Sequence, residues 1–156
     1  MTKSSNPADT FDTEISPTVK ALGYGGLLPF VALAAAVGLD GSHRSLWFDM
    51  LVGYGAVILS FVGALHWGLA MSPSDMMADQ RTRSFVWSVV PALMAWVALS
   101  MTPKYACALL TAGFLIHFWQ DKRLVKLVNL PAWYLPLRLQ LTFVACMSLF
   151  LALLFA

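Results

Sequence analysis

Charge is scarce in this chain. Asp, Glu, Lys and Arg make up 12% of its 156 residues, against about 25% in an ordinary soluble domain. The eight acids, Asp9, Asp12, Glu14, Asp40, Asp49, Asp75, Asp79 and Asp121, all fall outside the long apolar runs or at their ends. Intramembrane carboxylates are the usual carriers of protons or sodium, so this placement argues against an ion-coupled carrier. Cysteine is nearly missing too. Cys107 and Cys146 lie within apolar runs, which gives no disulfide framework and suits small packing residues. There is no phosphate-cradling glycine loop, CxxC, HExxH or nucleophile elbow. These absences point away from an enzyme, and with the basic residues placed at a membrane surface no nucleic-acid partner is needed.

What remains is grease. Hydrophobic residues form 59% of the chain and its mean hydropathy is +0.71, more apolar surface than one globule of this size could hide. After a polar tail at 1–18, read as disordered, five apolar runs follow at about 19–38, 48–71, 85–101, 104–120 and 137–156. A helix needs roughly 17–25 residues to cross the hydrocarbon. The expected fold is therefore an all-α polytopic membrane protein, a bundle of five transmembrane helices. The fourth run is short, with Lys104 and Gln120 extending it by snorkelling. Cleavage of the first run as a signal peptide, at the small residues Ala34 and Ala36, is the competing reading. Acids ahead of that run, and Gly23, Gly25, Gly26 and Pro29 within it, speak against cleavage.

Five spans sort the ten Lys and Arg unequally. Lys3, Lys20, Arg81, Arg83, Lys122, Arg123, Lys126 and Arg138 fall on one side, and Arg44 and Lys104 on the other. The positive-inside rule then puts the N-terminus in the cytoplasm and the C-terminus outside. Within the 121–136 loop, Leu124, Leu127 and Val128 alternate with Lys122, Arg123 and Lys126 at helical spacing. This predicts a short basic helix on the cytoplasmic membrane surface, followed by an aromatic anchor at Trp133 and Tyr134 between Pro131 and Pro136. Docking of anionic lipid or of a partner's acidic surface is the alternative use.

Two GYG triplets, in LGYGG (22–26) and LVGYGA (51–56), invite comparison with a potassium filter. Each opens a full span with no pore helix before it, so close helix approach explains the glycines better. Ala56, Ser60, Ala64 and Gly68 recur every four residues with Gly63 beside them, which makes this stripe the candidate packing seam. In the fourth span Ala106, Gly113 and His117 share a face, turning His117 inward.

Two histidines then stand out. His66 sits roughly 8 Å from the cytoplasmic end of the second span, and His117 roughly 5 Å from that end of the fourth. Equal depth on different helices suits bis-histidine haem b, a shared metal, a quinone headgroup or a proton relay. Equally, both lie beside interfacial Trp67 and Trp119, and Gln120 and Asp121 can satisfy His117 locally.

The stretches LGYGGLLPFVA, YGAVILSFVGALHWGLAM, WSVVPALMAWVAL and LPAWYLPLRLQLTF resemble the transmembrane protein 69-like family, over about residues 20–155. That family is a domain of unknown function found in bacteria and, in animals, in a protein assigned to mitochondria. The resemblance implies a five-helix inner-membrane protein and transfers no activity. Three functions stay open. The first is a non-enzymatic accessory or assembly subunit packing against a larger energy-transducing membrane complex. The second is a redox protein using His66 and His117. The third is a small-molecule channel or carrier lined by Ser60, Ser88, Thr111 and the histidines, with helix breaks at Gly23, Pro29 and Pro91 near a midplane site.

Overall fold

The computed structural model describes residues 15–72 and 76–155. The tail expected at 1–18 falls outside the described residues up to position 14. Among the described residues there are helices and no strands. The first rod is split into α1 (Pro17–Gly25) and α2 (Leu28–Leu39), and a 3₁₀ turn at Gly41–His43 leads into α3 (Arg44–Met71). Three further helices follow: α4 (Ala78–Leu99), α5 (Pro103–Leu124) and α6 (Tyr134–Leu153).

The starts are written locally. Pro17 and Pro103 occupy the first helical positions, where a missing N–H costs nothing. Asp40 holds the turn before α3, its Oδ1 accepting from the backbone N–H of Ser42 at 3.1 Å. The helices outrun the apolar stretches that announce them. α4 begins seven residues before Phe85, because Gln80 Oε1 accepts the backbone N–H of Met77 and polar residues 78–84 are good enough helix formers. α5 runs four residues past Gln120, so Lys122 and Arg123 are its last turn. The separate surface helix expected there is replaced by that turn and an irregular link to Tyr134. Positive side chains at a helix C-terminus complement its dipole, and continuation there is the cheaper solution.

The proline positions divide. Pro29 follows the break at Gly26–Leu27, where the Tyr54 hydroxyl donates to the Gly26 carbonyl at 2.7 Å. Pro91 leaves α4 unbroken and fully buried. Its ring fills the space at Gly63, where a Cβ would stand 3.0 Å from Pro91 Cβ and Cγ.

α3 is the central rod, packing on α2, α4 and α5. Phe30, Leu51, Leu59, Leu110 and Leu149 are buried among these helices. The predicted seam needs correction. Ala56 and Gly63 are buried and Gly113 meets Leu59, but Ala64 and Gly68 are exposed and Ser60 is only half-buried. A four-residue step overshoots one turn by about 40°, so the ladder winds from the inner face to the outer one. The true inner face is Leu59, Val62, Gly63, His66 and Ala70.

Large apolar side chains point outward, among them Leu22 at 74% exposure and Trp96 at 68%. In water such a surface would be an aggregation liability, whereas lipid is its natural solvent. Four segments, 17–39, 41–71, 78–99 and 134–153, are long and apolar enough to cross a membrane. α5 matches them in length, but Lys104, His117, Gln120 and Asp121 make it more polar. It is held in the bundle between α4 and α6.

Candidate functional site

Polar side chains converge where the C-terminal ends of α3 and α5 meet the starts of α4 and α6. His117 and Asp121 are four residues apart on α5, and Tyr134 and Arg138 four apart on α6, so each pair shares a helix face. Asp121 is at the centre and has no solvent exposure. Its Oδ1 accepts from His66 Nε2 at 3.0 Å and from the Tyr134 hydroxyl at 3.3 Å. Its Oδ2 accepts from Arg138 Nε at 2.8 Å. His117 Nε2 stands 3.6 Å from Oδ1, and Trp87 Nε1 donates to His117 Nδ1 at 3.2 Å. One carboxylate thus ties three helices together, and the indole of α4 joins through His117. A buried carboxylate and guanidinium are each costly alone; paired and hydrogen-bonded, they sum to zero charge.

The two imidazoles do meet, with ring centroids 4.9 Å apart. Donor atoms of His66, His117 and Asp121 lie within 4.8 Å of one another, a spacing a metal could bridge. The proton inventory does not fit one. An indole nitrogen can only donate, so His117 Nδ1 is an acceptor and the neutral ring keeps its proton on Nε2. A metal-bound histidine shows the reverse, donating its outer N–H and ligating through the other nitrogen. Haem fits no better. Metal–nitrogen bonds of about 2.0 Å on each side and a macrocycle between the rings exceed the space that a 4.9 Å centroid separation leaves.

Sequence reasoning places both histidines at a common depth and misses their organiser. In the sequence Asp121 is only a local partner of His117, Arg138 a flanking charge and Tyr134 a membrane anchor, and Trp87 does not stand out at all. The available signal is the pair of i, i+4 polar couples on consecutive helices. Of the expected surface residues, Lys122, Arg123 and Lys126 are exposed, with the Arg123 guanidinium 3.5 Å from the Trp119 ring centroid. Trp133 and Tyr134 are half-buried and turn toward the bundle. Two of the three hydroxyls expected to line a pathway are absorbed locally: Ser60 donates to the Ala56 carbonyl and Ser88 to that of Phe85.

Cavities flank the cluster on two sides. A groove of about 660 Å³ has His66 and Trp87 in its wall and Arg83, Arg123 and Lys126 around it. A cleft of about 530 Å³, almost wholly apolar, opens between α1, α3 and α6 and reaches Tyr134 and Arg138.

Outward apolar helices around a buried cluster of paired polar side chains define a multi-pass membrane protein. The chain belongs to the family described as protein of unknown function (DUF3429), whose profile matches residues 15–154. It is similar to transmembrane protein 69 of Xenopus tropicalis, 35% identical over 132 residues, covering 82% of this chain and 50% of that protein. Transmembrane protein 69 of Mus musculus is 27% identical over 123 residues, covering 79% of this chain and 50% of its own. The chain spans about half the length of these relatives. No solved structure matches it.

Proposed function

We propose that this chain is a non-enzymatic accessory or assembly subunit of a larger membrane complex, in a bacterial inner membrane with its N-terminus cytoplasmic. One observation carries the non-enzymatic part. The lone pairs that would serve as a base are already engaged: Asp121 accepts from His66, Tyr134 and Arg138, and His117 Nδ1 accepts from Trp87, which leaves His117 only an Nε2–H without a partner among the described residues. Such a cluster fixes helices in register, a use of buried polar groups known from other bundles.

Support for a partner comes from the outer face of α3. A methyl group at Gly53 or Gly68 would meet nothing within 4 Å, and Ala64 is exposed between them. Helices associate in lipid by close backbone approach across such small residues. Sidedness rests on the eight-to-two division of Lys and Arg, with Arg138 now internally paired. Purification of the full chain in a mild detergent is expected to yield a stoichiometric complex that Gly68→Leu dissolves without unfolding the chain. A monodisperse, partner-free chain from its native membrane would refute the proposal.

A further inference from the structure

Four buried side-chain polar atoms find no hydrogen-bond partner among the described residues; one, His117 Nε2, lies beside Asp121, and the other three share one cavity. Trp133 Nε1, Arg138 Nη2 and Thr142 Oγ1 make no hydrogen bond, and all three residues line the apolar cleft between α1, α3 and α6. Arg138 and Thr142 are only 6% and 4% exposed. A protein that answers nearly every other buried polar group seldom leaves three together, because each is costly when unmade. The other cleft walls are apolar and include Phe30, Phe61 and Phe114.

We propose that this cleft binds a quinone, a flat, neutral, lipid-soluble ring whose carbonyl oxygens accept from this donor wall. The polarity of the site chooses an acceptor, since indole and guanidinium nitrogens can only donate. Charge chooses a neutral one. The Arg138 guanidinium is already matched by Asp121 at 2.8 Å, and an anion would bring an uncompensated charge into an apolar space. Spacing favours two acceptors on one rigid ring, because Arg138 and Thr142 stand one helical turn apart, about 6 Å along the axis. The aromatic walls suit a flat ring, and the lipid-facing helices around the cleft suit a membrane-soluble ligand. This goes beyond the accessory reading and does not depend on it. It also moves the site away from the histidines, since neither His66 nor His117 lines the cleft.

The test titrates the full chain in nanodiscs with a benzoquinone bearing a decyl tail, and in parallel with decylbenzene and with dioleoylglycerol. Saturable binding and a raised unfolding temperature are expected with the quinone, but not with decylbenzene, which has no acceptor. Thr142→Val should bind the quinone roughly threefold to tenfold more weakly, the worth of one neutral hydrogen bond. Without ligand it should be at least as stable as the parent, because the lost hydroxyl had no partner. No saturable quinone binding, decylbenzene binding equally well, saturable binding of dioleoylglycerol alone, or unchanged quinone affinity in Thr142→Val would each overturn the proposal.

Discussion

A single methyl group separates Gly63 from Gly68, five residues apart on α3, in what each would tolerate. At Gly63 the added carbon would stand 3.0 Å from the Pro91 ring and from the Ser88 carbonyl, neither of which can swing aside. Gly63→Ala should therefore cost about 1–3 kcal/mol, the range for overpacking. Gly68→Ala should stay within about 0.5 kcal/mol of the parent. Reversible unfolding in detergent measures both, and equal stability of the two variants would mean that α3 and α4 do not touch as described. Asp40, in the connection outside the spans, offers a pH handle. The N–H of Trp47 and then the His43 ring hold its carboxyl below the usual carboxylate range. A lowered folded-state pKa stabilises above the unfolded value of about 3.9, and the benefit is lost as pH falls through the folded value. The turn before α3 should thus hold from neutral pH to about 4 and loosen only in stronger acid, with Trp47 emission in a single-tryptophan variant as the readout.

Between elements, the Asp121 cluster dominates. Asp121→Asn leaves Arg138 buried without its counter-charge, and Arg138→Met leaves the carboxylate so; each should cost roughly 3–5 kcal/mol. Combining Arg138→Met with Asp121→Leu removes both charges and should cost clearly less than the sum of the two single changes. Additive losses in that cycle would show that the pair is not coupled. This is also the scale at which the sequence is least legible. Hydropathy is a running average along one dimension, so it finds rods and their order, and with them the common depth of His66 and His117. It cannot weigh a polar residue by what faces it. Asp121 looks like a solvated helix end because Lys122 and Arg123 follow, yet it points into the bundle while they point out. The small-residue ladder misleads for a related reason: equal sequence steps are not equal angles on a helix, and Gly68 ends up facing away from Gly63's neighbours. The break at Gly26 is signalled by Pro29, but nothing local tells that Tyr54 caps it.

For the molecule as a whole, sidedness is the testable quantity. If the N-terminus is inside, Gly41→Cys, in the turn before α3, should react with a membrane-impermeant maleimide in intact cells. Asn129→Cys, between α5 and α6, should react only after the membrane is opened. Native Cys107 is buried and Cys146 half-buried, so the background is low. The reverse pattern would invert the topology without disturbing the fold.

The pairing of Asp121 with Arg138 also bears on how the chain is made. The carboxylate belongs to the least greasy rod, and its cation is synthesised seventeen residues later, on the next one. Without the last rod Asp121 would keep His66 as a partner but would have no cation to balance its charge. Insertion of the last two rods as a charge-cancelling hairpin is therefore expected, and a chain truncated before Tyr134 should hold α5 in the membrane less firmly than the full chain, read by its extraction with alkali.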